Sequence, residues 1–162
     1  MVSTGKDARA VVAAAKFPPL GTRGCAGGPW NDFGTGPDAF AVSKINEEVT
    51  VGVQIETLEG VENAREIAST PGVDWVFLGP VDLAVAMGKI ETPEGWRHPE
   101  VRSVIADVGR IVREEGKSVG TLITGPEDLK EYDGFNVNVC LGSQLLKCGA
   151  DSFLTSMERE SL

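Results

Sequence analysis

Two runs decide the fold: Val49-Thr50-Val51-Gly52-Val53-Gln54-Ile55-Glu56 and, beyond one helix-forming segment, Asp74-Trp75-Val76-Phe77-Leu78-Gly79-Pro80-Val81-Asp82. In the first, apolar residues alternate strictly with small or polar ones. A strand sends successive side chains to opposite faces. Val49, Val51, Val53 and Ile55 therefore share one face, and Thr50, Gly52, Gln54 and Glu56 share the other. The second run is a nearly continuous apolar strand over residues 74–78. Between the two, Val61, Ala64, Ile67 and Ala68 keep a helical spacing that Pro71-Gly72 closes.

The same alternation continues toward the C-terminus. A short helix is expected from Val81 or Asp82 to Met87, with Gly88 past its end. Val101, Val104, Ile105, Val108, Ile111 and Val112 hold the helical period over residues 99–115, with Pro99 in the favoured first position. Strands follow at 118–122 and 137–141, with helices at 126–131 and from Ser143 to about Met157. Toward the N-terminus, Ala8, Val11, Val12 and Ala15 mark a helix over 6–16, with Thr4 and Asp7 as a capping box and Pro18-Pro19 as its stop. Residues 20–37 read as a long Gly-rich loop, and 38–46 as a short helix. One helix followed by four strand–helix repeats implies an α/β domain over 1–162, with a parallel sheet and helices outside it.

Composition narrows the function. The 162 residues carry a formal charge of −9, with 41% hydrophobic and 24% charged residues. That charge argues against nucleic acid and anionic membranes, which reward basic patches. No apolar run approaches the about 20 residues needed to span a bilayer, and the first residues lack a signal peptide's apolar core. Cys25, Cys140 and Cys148 form neither a CxxC pair nor a zinc pattern, and an odd count without a framework points to reduced thiols and a cytoplasmic protein.

The chemistry is expected at the C-terminal ends of the first two strands, where parallel α/β sheets place their sites. Gln54 and Glu56 point the same way, about 6–7 Å apart. A carboxylate beside an amide suits a hard divalent cation with oxygen ligands. Alone, Glu56 reads more readily as a strand-end carboxylate paired with an Arg or Lys, since exposed strand-end carboxylates are common. Asp82 alone reads as a first-turn helix residue worth about 0.3–1 kcal/mol. Together they are more telling, because neighbouring strands lie about 4.8 Å apart and two carboxylates at adjacent tips can share one metal. Gly79 admits close backbone approach, and the Val81 and Asp82 amides can face an anion.

The run from Gln54 to Asn63, followed by Gly72 to Leu83, resembles the HpcH/HpaI aldolases, the class II 2,4-dihydroxyhept-2-enedioate and 2-dehydro-3-deoxyglucarate aldolases and their relatives. Pro18-Pro19-Leu20-Gly21-Thr22-Arg23-Gly24 and His98-Pro99-Glu100-Val101 fit the same pattern, and the resemblance runs from residue 1 to about 154. It implies a (β/α)8 TIM barrel, of which this chain is roughly the second half. It further implies a divalent metal, Mg2+ first and Mn2+ or Co2+ next, held by Glu56 and Asp82. Gln54, Val81 and Asp82 would contact a pyruvate-like 2-oxo acid. Family members commonly carry Ala or Ser at Val81, a change that a backbone contact survives. The implied activity is metal-dependent cleavage of a 4-hydroxy-2-oxo acid to pyruvate and an aldehyde. Oxaloacetate decarboxylation and citrate-lyase-like cleavage are the sibling activities, and trimers or hexamers the common assemblies.

The resemblance places the family's catalytic histidine and arginine upstream of residue 1, so no catalytic base is expected among these residues. A (β/α)8 barrel needs about 250 residues, and Met1-Val2 corresponds to the tail of a preceding strand. A start at an internal methionine, a gene fragment or a degraded paralogue would each account for this. The rival reading is a catalytically dead half barrel or a binding subunit. Two open sheet edges also imply a poorly soluble or oligomeric chain. Gln144 stands where the family usually has Asp.

Other residues carry less. His98, the only histidine, is expected at a helix entry rather than in catalysis. The loop from Gly21 to Gly36 lacks the strand and lysine of a phosphate-binding loop. Arg23 reads as structural, Trp30, Trp75 and Trp96 as packing residues, and Cys140 as an inert thiol in a buried strand.

Overall fold

A computed structural model describes residues 1–24, 42–92 and 94–160. Strands β1 (Gly52–Ile55), β2 (Trp75–Leu78), β3 (Ser118–Leu122) and β4 (Val137–Val139) form one sheet in chain order. Every neighbouring pair is parallel. The helices are α1 (Gly5–Ala15), α2 (Val42–Glu48), α3 (Leu58–Glu62), α4 (Ala64–Ala68), α5 (Pro80–Ala86), α6 (Pro99–Glu114), α7 (Pro126–Glu131) and α8 (Gly142–Glu160).

The expected alternation is what divides the sheet into two unlike faces. Val51, Val53, Ile55, Val76, Leu78 and Val119 are buried in one core with Ile67 and Ala68 of α4 and Val101, Ile105, Val108 and Val112 of α6. On the opposite face Gly52 is exposed, and Gln54, Trp75 and Phe77 are half-buried. In a sheet that curves as parallel barrels do, this second face is the concave side, turned to the interior. Val2 lies along β1, its N–H donating to the Gln54 carbonyl at 2.8 Å, and is itself buried.

The structure differs from the sequence reading in several places. Regular pairing of the first strand begins at Gly52 rather than Val49, because the Val49 N–H closes the end of α2 on the Ile45 carbonyl at 2.9 Å. Val51 is instead held by Asp74, whose Oδ2 accepts the Val51 N–H at 2.7 Å. The single helix expected over 61–68 is two short ones, broken at Asn63, whose side chain donates to the Ser3 carbonyl at 2.9 Å. α5 begins one residue early, at Pro80. Cys140 is not in a buried strand: β4 ends at Val139, forms the sheet's edge and leaves Cys140 partly exposed. Of the Gly-rich loop only residues 20–24 are described, and residues 38–41 of the next helix, like Trp30 and Cys25, lie outside the described residues.

The capping box is present. Thr4 Oγ1 accepts the Asp7 N–H at 3.2 Å, and Asp7 Oδ2 accepts the Thr4 N–H at 2.9 Å. A buried polar staple then joins α2 to the end of α1. Asn46 Oδ1 accepts the Phe17 N–H at 2.7 Å, and its Nδ2 donates to the Phe17 carbonyl at 3.0 Å. Lys16 Nζ donates to the Asn46 and Val49 carbonyls. Phe17 and Asn46 are both buried, so water does not replace these bonds. Asn46→Ala should therefore cost about 2–4 kcal/mol, from two peptide groups left unsatisfied at once. A urea titration checks this as a lowered midpoint with unchanged slope.

Candidate active site

The register pairs Ile55 with Leu78, so the residues that follow, Glu56 and Gly79, leave the sheet side by side. The Gly79 N–H extends the pairing by one more bond, to the Ile55 carbonyl at 3.0 Å. Gly79 caps α5, Pro80 occupies its first turn, and Asp82 follows in that turn. The first backbone bond of α5 runs from the Leu83 N–H to the Gly79 carbonyl at 3.1 Å. Val81 and Asp82, both exposed, thus stand where helix amides have no intrahelical acceptor.

This turn returns Asp82 toward Glu56, close enough for its charge to act on the Glu56 carboxyl. Glu56 is half-buried. Burial first, then the neighbouring Asp82 carboxylate, push its carboxyl above the usual range. The Met1 amino group and the Gln54 side chain pull the other way. Gln54 Nε2 donates directly to Glu56 Oε2. A Cβ at Gly79 would lie 2.6 Å from Glu56 Oε2 and 2.8 Å from Gln54 Nε2. Glycine is needed here for space, since its φ of −83° is open to any residue.

Gln54, Glu56 and Asp82 are thus brought to one place at the strand tips, with the Val81 and Asp82 amides in the adjoining turn. Gln54 also borders a recess of about 300 Å³ on the concave face, with Gly52, Trp75, Phe77 and Val139. Neither that recess nor a larger hollow of about 470 Å³, bordered by Lys89, Glu91, Arg97 and His98, is lined by either carboxylate of the pair. His98 caps α6, its Nδ1 accepting the Glu100 N–H at 3.2 Å. Arg23 stacks on Phe17, 4.8 Å from the ring centre, and Trp96 is buried. Trp75 and Phe77 meet edge to face at 6.5 Å.

Among the described residues no group of three or more His, Cys, Asp or Glu side chains converges, so Glu56 and Asp82 stand as a pair. Two carboxylates are a fitting donor set for a hard cation that keeps several waters and takes its remaining ligands from substrate. Their mutual repulsion is the charge such an ion would neutralise. Sequence reasoning missed Thr121, whose buried hydroxyl donates to the Leu78 carbonyl at 2.9 Å beneath this turn. No sequence signal marks it, because the bond depends on the β2–β3 register.

The profile of the HpcH/HpaI aldolase/citrate lyase family matches residues 1–140. This chain belongs to that family. Among its HpcH/HpaI relatives, the hydroxypyruvate/pyruvate aldolase of Chromohalobacter salexigens is 38% identical over 132 residues, covering 82% of this chain and 51% of that protein. The 4-hydroxy-2-oxo-heptane-1,7-dioate aldolase of Escherichia coli is 35% identical over 167 residues, covering 100% of this chain and 58% of that protein. The chain therefore spans about half the length of the curated relatives it matches. An HpcH/HpaI aldolase/citrate lyase family protein from Burkholderia cenocepacia superposes with a TM-score of 0.83 at 31% identity, over 98% of this chain and 63% of that one. The four strands and their helices are accordingly a partial barrel of the HpcH/HpaI type. No helix among the described residues is long and apolar enough to cross a membrane.

Proposed function

We propose that this chain supplies the metal- and oxo-acid-binding part of a class II aldolase, a carbon–carbon lyase that cleaves 4-hydroxy-2-oxo acids to pyruvate and an aldehyde. The observation that carries the reading is the convergence of Glu56 and Asp82 at adjacent strand tips, with Gln54 bonded to Glu56. Relatives named as aldolases for hydroxypyruvate/pyruvate and for 4-hydroxy-2-oxo-heptane-1,7-dioate support the substrate class.

Glu56 and Asp82 would hold a divalent cation, with Mg2+ matching the all-oxygen donor set best and Mn2+ or Co2+ as substitutes. When bound, that cation supplies Lewis acidity to a keto oxygen. Gln54, fixed by its bond to Glu56, presents an amide toward the same space. The first-turn amides of Val81 and Asp82 offer donors to a substrate carboxylate, and at Val81 that donor is indifferent to the side chain. The reading assigns binding and orientation to these residues and leaves proton transfer to groups outside them. Assembly into a homo-oligomer belongs to the same reading. It is supported by an open concave face and by the exposure of Leu141, Leu145 and Leu146.

The test is pyruvate release from a 4-hydroxy-2-oxo acid, followed through a coupled dehydrogenase, before and after chelation and readdition of Mg2+ or Mn2+. Turnover is expected only with metal, with a loss of about 100-fold or more on chelation. Pyruvate release indifferent to chelation would overturn the metal assignment. No release under any condition would leave a binding subunit without lyase activity.

A further inference from the structure

We infer that Thr121 is a positioning residue for the carboxylate pair, acting through one peptide unit that β1 and β3 grip from opposite sides. The inference rests on the metal-binding reading of Glu56 and Asp82. The unit is Leu78–Gly79, the last peptide of β2 before the turn into α5. Its N–H, on Gly79, donates to the Ile55 carbonyl of β1 at 3.0 Å. Its carbonyl, on Leu78, accepts from the Thr121 hydroxyl of β3 at 2.9 Å. Leu78 and Thr121 are register partners, and Thr121 is fully buried, so water has no route to replace the hydroxyl.

The grip matters because of what touches Gly79. Its Cα lies so close to Gln54 and Glu56 that a Cβ would fall within 2.6–2.8 Å of their polar ends. On its other side Gly79 provides the carbonyl that starts α5, on the Leu83 N–H at 3.1 Å, and so sets where Asp82 stands. A tilt of this peptide shifts the base of Asp82 and the wall behind Glu56 together. Thr121 reaches neither carboxylate, and its side chain lies on the helix-packed face of the sheet. Its effect passes through the Leu78 carbonyl. A valine fills the same space but loses the donor, whereas a serine keeps it.

The experiment compares the wild-type chain with T121V and T121S, using amide hydrogen exchange at Gly79 and Leu83 and Mn2+ affinity from the paramagnetic resonance of free ion. In T121V, exchange at those two amides should rise about tenfold and Mn2+ affinity should fall about tenfold, at the low end of losses from residues that support metal ligands. T121S should restore both. Unchanged exchange and affinity in T121V would overturn the grip, as would equal losses in T121S and T121V. If T121V does not fold, T121A replaces it against the same serine control, with the same two outcomes deciding. A wild-type chain that binds no Mn2+, while T121V still loosens Gly79 and Leu83, would overturn the metal reading and leave the grip standing.

Discussion

Glu56→Gln should weaken Mn2+ binding by at least about 100-fold, beyond the losses typical of supporting residues, and should leave the metal-free fold at least as stable as before. Both halves follow from one geometry. Glu56 contributes one of the two carboxylates that converge at this site among the described residues, so its loss removes half of their negative charge. Its amide replacement keeps the size and still accepts a hydrogen bond from Gln54. The stability half follows from the sign of the proton linkage. Burial and the neighbouring Asp82 raise the folded-state pKa of Glu56 above its unfolded value. The folded state therefore binds the proton more tightly, and this favours folding at low pH. The advantage is lost as pH rises from the unfolded pKa through the folded one, and above both the ionised group opposes folding. Gln removes that opposition at neutral pH. Thermal melts of both proteins in chelator, with Mn2+ titrations alongside, separate the effects. A variant that melts lower without metal would show Glu56 to be a structural ion-pair residue, and retained Mn2+ affinity would remove it from the metal site.

Much of this was legible in the sequence because period-2 alternation is a local signal with a global consequence. The run from Val49 to Glu56 fixes which residues face helices and which face the concave side, and therefore that Gln54 and Glu56 point together. Asp82 was legible for a different reason: a Gly-Pro pair after a strand forces a turn, and the first helical turn follows. What the sequence did not show depends on contacts between segments. Asn63 interrupts a helix because the Ser3 carbonyl, sixty residues away, takes its side chain. Val49 leaves the sheet because α2 claims its amide. Cys140 seemed buried because its strand is apolar, but burial belongs to the strand's place in the sheet, and β4 is at the edge. Thr121 has no pattern at all, since a threonine in a strand looks the same whether or not a carbonyl waits opposite it.

Two glycine-to-alanine substitutions should separate fold from site. At Gly120 a Cβ would lie 2.0 Å from the Val137 carbonyl oxygen and 2.8 Å from the Val137 Cβ, far inside contact distance. The obstacle is the backbone of the adjoining strand and has no rotamer to escape into. Gly120→Ala must therefore push β3 and β4 apart at their Gly120–Val137 pairing, costing about 1–3 kcal/mol or more as an overpacked site. At Gly79 the two nearest obstacles are side-chain ends, Glu56 Oε2 and Gln54 Nε2 at 2.6 and 2.8 Å, and the third, the Glu56 Cβ at 3.0 Å, needs only a few tenths of an ångström of give. Those ends can rotate aside, and the backbone there suits alanine, so Gly79→Ala should cost less than about 1 kcal/mol, most of it from the poorer helix cap. What gives way is the arrangement proposed to bind metal, and Mn2+ affinity should fall about 10–100-fold. The predicted pattern is thus a crossed one, read from a urea titration and a Mn2+ titration of each variant. Gly120→Ala loses stability, and whatever remains folded keeps its Mn2+ affinity; Gly79→Ala keeps stability and loses affinity. Loss of both properties in both variants would mean that the strand tips are not mechanically separable from the sheet. Full Mn2+ affinity in Gly79→Ala would place the ion away from Glu56.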